Sequence, residues 1–326
     1  MFSKAKLKFD DIFENRLSED EVRRYLIELH DRGETSDEIA SAASAMREHM
    51  TPLNLDPKIA EKTMDNCGTG GDKSNSFNVS TTVSILLASC GVLVAKHGNR
   101  SITSNSGSAD MLEALGVNLS LTLSKQALML EKTGFIFMFA VDHHPAMKHI
   151  MPIRKSIPHR TIFNILGPLS NPAHVKKQFI GVFDKAFVPI VANALTKLQT
   201  KRAMVVSSAD GMDEISISDI TYAAFVERGS VREFIFDPRE YGFDLYPKED
   251  VLGGDAVQNA AITRGILSGE ITGAKRDIVL VNAGASLLVD GIVNSTEEGI
   301  DMARDAIDSG KALLKLEEII KVSNEI

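Results

Sequence analysis

The segment DNCGTGGDKSNSFNVST, residues 65–81, has the residue types and spacing best suited to chemistry. Gly68, Gly70 and Gly71 carry no Cβ, so backbone N–H groups there can approach an oxyanion closely. Asn78, Ser80 and Thr81 stand where the helical stretch STTVSILLASC begins, and the positive end of a helix with unpaired N–H groups favours phosphate. Asp72 and Ser76 lie between the two features. A bare Gly-Thr-Gly-Gly reads as a tight turn before an ordinary cap; with Asp72 and Asn-Val-Ser-Thr attached it reads as a phosphate cradle. No Gly-Lys-Ser/Thr opens the helix, so it is not a Walker loop, and it does not match the dinucleotide fingerprint.

Three further segments carry candidate groups. AKHGNRSITSNSGSAD, residues 95–110, gathers Lys96, His97, Asn99 and Arg100 with the hydroxyls of Ser101, Thr103, Ser104 and Ser108. No acidic residue precedes Asp110, so the donors point to an anion rather than to a plain solvated loop. In SSADGMDEIS, residues 207–216, Asp213 and Glu214 alone would be solvated charge at a loop tip. Beside a polyphosphate they become a sensible Mg²⁺ ligand set, because that ion prefers carboxylate, water and phosphate oxygens together. The fourth is the proline-rich stretch 143–173. His144 and Arg154 fall ten residues apart there and share a face if a helix survives Pro152. Arg154 suits bidentate grip of a carboxylate, the plainer reading being a surface arginine and a capping histidine. Cys67 has no partner motif that suggests a nucleophile.

Alternating elements must hold these segments. Up to about Lys62 the pattern is helical, with Ser18 and Glu21 at capping-box spacing, a stop at Gly33, and Ser36 or Thr35 as the next cap. From Asp65 short β-branched runs at 91–95, 135–141, 178–183 and 203–208 alternate with helical stretches. This predicts an α/β core with a central, mostly parallel sheet. A hairpin is expected over 221–236, turning at Gly229. Helices are expected from about Gly254, the last a long one over STEEGIDMARDAIDSGKALLKLEEIIKV. The 143–173 stretch is expected to leave the sheet and join the N-terminal helices. The division is then a small helical domain, 1–64 with 143–173 packed on it, and a large α/β domain made of 65–142 and 174–326.

The bulk numbers narrow the class. Apolar residues at 44% and charged residues at 25% are ordinary for a soluble globular chain of 326 residues. No stretch has the length of a membrane span, and the acidic N-terminal segment lacks the apolar core of a signal peptide. Two cysteines exclude a disulfide framework and suit a reducing cytoplasm. A net charge of −8 argues against gripping a nucleic-acid backbone, though not against small anions held by local loops.

On GTGGD (68–72) with NVST (78–81), KHGNRSITS (96–104) with SGSAD (106–110), HPAMK (144–148) with RTIFNILGPLSNP (160–172), and GMDE (211–214), the chain resembles the anthranilate phosphoribosyltransferase family. The resemblance covers nearly the whole chain, with Thr103 and Asn105 as small departures. It implies a homodimer with the nucleoside-phosphorylase-like (class II) fold, phosphoribosyl pyrophosphate (PRPP) and anthranilate as substrates, and two Mg²⁺ ions per protomer. The implied PRPP contacts are Gly68, Gly71, Asp72, Asn78, Ser80, Thr81 and Lys96, to which the loop reading adds Ser76, Arg100, Ser104 and Ser108. Ser80, Asp213 and Glu214 match metal ligands. Gly68, His97, Asn99, His144, Arg154 and Gly167 are the anthranilate set. A pyrimidine nucleoside phosphorylase would share the fold but is expected to show a Lys-His-Ser motif. A non-catalytic nucleic-acid-binding relative is expected to lose the metal positions and gain a basic surface.

Overall fold

Ser18 and Thr35 start helices by the device their spacing predicts. Each hydroxyl accepts a hydrogen bond from the backbone N–H three residues on, and Glu21 and Glu38 accept in return from the backbone N–H groups of the two caps. The computed structural model describes residues 2–100 and 106–326, and places these helices, Glu19–Arg32 and Ser36–Glu48, after a first helix Phe2–Phe13. Thr35, not Ser36, is the second cap.

A seven-stranded sheet forms the centre: β1 Thr63–Asp65, β2 Leu93–Gly98, β3 Phe135–Phe139, β4 Lys177–Gly181, β5 Arg202–Ser208, β6 Thr221–Glu227 and β7 Ser230–Phe236, in the order β3-β2-β1-β4-β5-β6-β7. Strands β1 to β5 run parallel, and β6 and β7 close one edge as an antiparallel hairpin. Its two turn residues, Arg228 and Gly229, both have positive φ (52° and 77°), as a two-residue hairpin loop requires. Sequence patterning locates β2 to β5, with shifted ends. β2 runs on through Lys96 and His97 to Gly98, while β3 stops at Phe139, where the helix Ala140–His143 begins. β1 has too few residues for periodicity to reveal it, yet it occupies the middle of the sheet. The chain builds outward from β1 to β3 and then returns to lay β4 on β1's other side. The switch point between β1 and β4 is where an open α/β sheet leaves a crevice at its carboxyl edge.

Two apolar cores flank the sheet. One packs helices such as Val79–Ser89 and Ala274–Asp290 on the first face. The other joins the opposite face of β4, β5 and β6 to the N-terminal helices. Within it the helix Met147–Lys155 lies on Phe2–Phe13 and Glu19–Arg32, and Phe163–Leu169 lies on Ser36–Glu48. Phe163 meets Phe9 and Phe13 edge-on, at 6.5 and 6.0 Å between ring centroids. The helix Phe187–Lys197 bridges this core, touching Ser36–Glu48 on one side and the sheet on the other. Among the described residues no helix is long and apolar enough to cross a membrane.

The expected long C-terminal helix is two, Thr296–Asp308 and Lys311–Glu325, broken at Gly310 with φ 78°. The first of these crosses Ala274–Asp290 with almost no side chain between the backbones. A Cβ on Gly299 would stand 2.5 Å from the Gly284 carbonyl oxygen. Gly299→Ala is therefore expected to push the helices apart and cost about 1–3 kcal/mol of stability, typical of overpacking. Thermal unfolding checks this, and a melting temperature equal to wild type contradicts the close crossing.

Candidate active site

β1 delivers Asp65, 1% exposed, into the crevice. Its carboxylate accepts hydrogen bonds from the His97 N–H (3.3 Å), the Asn171 side-chain amide (2.8 Å) and the Cys67 thiol (3.2 Å). The ends of β1 and β2 and the Ser170–Asn171 turn are thereby pinned together. Burial raises the Asp65 pKa, with Lys96 opposing. Burial first, and Asp65 second, push the Cys67 thiol well up, so it is an inert donor rather than a nucleophile.

β2 carries Lys96, 1% exposed, whose ammonium donates to the Asn66 carbonyl at 3.0 Å and to the Ser80 hydroxyl at 3.2 Å. Asn66 itself donates to the Ser80 carbonyl and accepts from Ser84, which ties the lysine's cradle to the helix Val79–Ser89. That helix begins without a side-chain cap. Asn78 instead accepts from Asn259 (2.9 Å) and Ser106 (3.3 Å), while Val79 N–H turns back to the Phe77 carbonyl (2.7 Å) and Ser80 N–H faces Glu214. Thr81 is fully buried, and its hydroxyl has no partner among the described residues. The loop before the helix turns through positive φ at Gly70, Gly71, Lys73 and Asn75. Ser76 lies there against Leu252, and Asp72 accepts from Ser74 N–H at 3.2 Å.

The loop after β5 brings the carboxylates. Gly70 N–H donates to Asp213 at 2.7 Å, and Asp213 N–H donates to Asp72 at 3.4 Å. Asn282 clamps the far side, accepting from Ile215 N–H at 2.9 Å and donating to the Ile215 carbonyl at 2.8 Å. Glycine makes the approach possible. A Cβ on Gly181 would lie 1.5 Å from the Asp213 carbonyl oxygen, and one on Gly68 would lie 2.3 Å from its carboxylate. Burial, and then the neighbouring Asp72, raise Asp213 to about 7; burial, and then Asp213, raise Glu214 well above the usual range. Lys96 and a hydrogen bond from the Ser80 backbone oppose the Glu214 shift, which places Glu214 beside both.

The 143–173 segment forms the other wall. His97 Nδ1 is 3.0 Å from the Gly167 carbonyl, and His144 Nε2 is 3.2 Å from His97 Nε2. Burial lowers these pKa values to about 4 and about 3, so both rings are neutral. A carbonyl only accepts, so His97 carries its proton on Nδ1 and receives a hydrogen bond from His144. The helix Met147–Lys155 does persist through Pro152, but it starts after His144, so His144 and Arg154 do not share a helical face. Arg154 is half-buried over the Phe163 ring at 5.5 Å, with only the Met151 sulfur as a polar contact and burial lowering its pKa. It has no carboxylate partner among the described residues. Beside Gly167 a Cβ would meet nothing within 4 Å, so space is open there.

Arg100 behaves differently from the anion-loop reading. Its guanidinium forks onto Glu113, 2.6 Å to each oxygen, and reaches Asp110 at 3.0 Å. The balancing acids come from the helix Ser108–Ala114, not from the loop itself. Asn99 is exposed and accepts from Arg100 N–H, and Ser108 starts that helix against Gly98. Ser104, with Ser101, Thr103 and Asn105, lies outside the described residues. Sequence reading missed Asp65, Asn66, Asn171, Gly181, Asn282 and Arg160. The last donates to the Gly71 carbonyl while stacking 3.9 Å over Phe183. Arg160 and Asn171 stand inside a quoted motif, but only contacts reveal their work.

The glycosyl transferase family a/b domain matches residues 60–313, and the helical bundle domain of that family matches residues 3–50. The anthranilate phosphoribosyltransferase of Petrotoga mobilis is 44% identical over 313 residues, 96% of this chain and 90% of that protein. That of Listeria innocua is 44% identical over 326 residues, covering 99% and 95%. The chain belongs to the anthranilate phosphoribosyltransferase family. Among solved structures, the Thermus thermophilus enzyme superposes with a TM-score of 0.93 at 37% identity, covering 99% of this chain and 96% of that one. The Saccharomyces cerevisiae enzyme in complex with PRPP and Mg gives 0.88 at 27% identity, covering 100% and 93%. The activity is transfer of the 5-phosphoribosyl group from PRPP to the amine of anthranilate. It yields N-(5-phosphoribosyl)anthranilate and pyrophosphate, a step of tryptophan biosynthesis.

The neutral histidine pair sets a pH dependence of stability. The ordinary histidine pKa is 6.5, and the folded values are about 4 and about 3. The unfolded chain therefore binds more protons between these limits, and stability falls as pH drops from about 6.5 towards 4. Thermal melting across that window is expected to show the fall. In His144→Gln the slope is expected to be shallower, and an unchanged slope contradicts the buried neutral pair.

Proposed function

We propose that PRPP lies along the glycine turn and the start of the helix Val79–Ser89, with its pyrophosphate reached by Lys96. Gly68, Gly71, Asp72, Ser76, Asn78, Ser80, Thr81 and Ser108 would line it. The observation that carries this reading is the buried ammonium of Lys96 on Ser80, next to an uncapped helix N-terminus. Arg100 would join only by leaving Glu113, and Ser104 would be a further contact of the same segment.

Asp213, Glu214 and Ser80 offer a set of oxygen donors only, held together although two of them are carboxylates whose pKa values burial has raised. Such a set suits Mg²⁺. Two Mg²⁺ ions per protomer would neutralise charge on the departing pyrophosphate. The chain's own contribution is positional and electrostatic: a fixed ammonium and fixed backbone N–H groups meet the leaving group without reorganisation. Displacement at the anomeric carbon is then loose, with pyrophosphate leaving ahead of full bond formation.

Arg154 would hold the anthranilate carboxylate, with His97, Asn99, His144, Gly68 and Gly167 around the ring and amine. No side chain stands as an indispensable general base; water or a pyrophosphate oxygen would take the amine proton. The protein would work in the cytoplasm as a homodimer. The N-terminal helices with 143–173 would bring anthranilate to PRPP held by the sheet body, which takes in Thr63 and Met64 through β1 and so begins two residues before the expected 65–142 and 174–326.

Anthranilate fluorescence is expected to fall only when PRPP and Mg²⁺ are both present. The double substitution Asp213→Asn with Glu214→Gln should raise the Mg²⁺ concentration needed for half-maximal turnover at least tenfold, roughly the cost of disturbing a metal site. An unchanged Mg²⁺ dependence removes these residues as ligands. For Arg154→Ala, loss of a charged hydrogen-bond pair worth about 1.5–3 kcal/mol should raise the KM for anthranilate roughly ten- to hundredfold, with little change for PRPP. Equal weakening of both substrates contradicts the assignment.

A further inference from the structure

Away from the active site, the last turn of the helix Glu19–Arg32 presents His30 and Asp31, and the loop between Met147–Lys155 and Phe163–Leu169 presents His159. One ligand atom from each lies within 4.8 Å of the others. We propose that these three residues bind one divalent transition-metal ion of the zinc, cobalt or nickel type.

The donor chemistry selects the ion. Two imidazoles and one carboxylate suit borderline metals, whereas the oxygen set of Asp213, Glu214 and Ser80 suits a hard one. The His159 tautomer is also set for ligation. Its Nδ1 is 2.8 Å from the Arg160 carbonyl, which only accepts, so Nδ1 bears the proton and Nε2 keeps its lone pair. A backbone carbonyl holding the other ring nitrogen is the usual support of a metal-binding histidine. Asp31 makes no hydrogen bond or ion pair with another described residue, so its carboxylate is available. The His30 and His159 rings are stacked, 3.8 Å between centroids at 16°, which brings the two chain segments together. Two parallel planes do not contain the same ion, so binding splays the rings. His30 and Asp31 are exposed and His159 is half-exposed, so side-chain rotation suffices.

The ion would join the end of Glu19–Arg32 to the residue before Arg160, whose side chain holds the Gly71 carbonyl. Its effect is to stiffen the strut between the N-terminal helices and the phosphate-binding loop.

The test is calorimetric titration of the full-length protein with Zn²⁺ under saturating Mg²⁺, wild type against His30→Ala/His159→Ala. Wild type should bind one ion per chain through this site, and the double variant should bind it at least tenfold more weakly, the order expected when a metal site is disrupted. Melting of both proteins in chelator verifies that the variant is folded. As a second measurement in the wild type, the imidazole nitrogen resonances of His30 and His159 should shift on Zn²⁺ addition. Unchanged Zn²⁺ affinity in the double variant, or shifts confined to other histidines, overturns the proposal.

Discussion

A single buried ammonium facing a surplus of buried carboxylate is the constraint around which this molecule is arranged. Lys96 is almost fully enclosed, and Asp65, Asp213 and Glu214 all have pKa values raised chiefly by burial. Removing such charges from water costs several kcal/mol per ion unless geometry and hydrogen bonds compensate. Compensation is partial by design of the neighbourhood. Asp65 has three donors and a nearby cation, whereas Asp213 and Glu214 crowd each other and Asp72. Burial and crowding oppose the ionisation of Asp213 and Glu214, so a positive charge placed beside them would relieve that strain.

Holding the crowded loops so close requires the absence of side chains at chosen points. Gly181 and Gly68 are not there for flexibility: the Asp213 backbone and carboxylate occupy the volume their Cβ atoms would need. Gly70 combines a positive φ with an N–H aimed at Asp213. The glycine turn seats the carboxylate loop with its own backbone, Thr69 N–H donating to the Gly181 carbonyl and Gly70 N–H to Asp213. Asn282 secures that loop from the neighbouring helix, so its position is a property of the large core rather than of the loop.

The second wall follows a different electrostatic logic. Its histidines are kept neutral by burial and hydrogen-bond one another, and Arg154 is its cation without a carboxylate partner among the described residues. This wall therefore combines uncharged imidazoles, whose donors are used on one another and on Gly167, with a partly desolvated guanidinium. Because this wall shares an apolar core with the N-terminal helices and with β4 to β6, its placement depends on the packing of Phe9, Phe13 and Phe163. Arg160 then links it directly to the glycine turn.

Local chemistry made much of this legible in the chain alone. The capping box at Ser18, the β-branched runs of β2 to β5, the hairpin at Gly229, and the glycine and Lys96 segments all speak through nearest neighbours or short spacing, whereas spacing narrows the second cap only to Thr35 or Ser36 and Asp213–Glu214 stands out only beside a polyphosphate. Such signals are carried by φ/ψ preference and periodicity, which act within a few residues. Decisions that join distant segments were invisible there: β1 as the central strand, Asp65 bound to Asn171, Arg100 balanced by Glu113, His144 set off the helix of Arg154, and Gly181 seating Asp213. Each of these is a contact between elements brought together only when the sheet closes around β1, so packing and burial, not local preference, determine it.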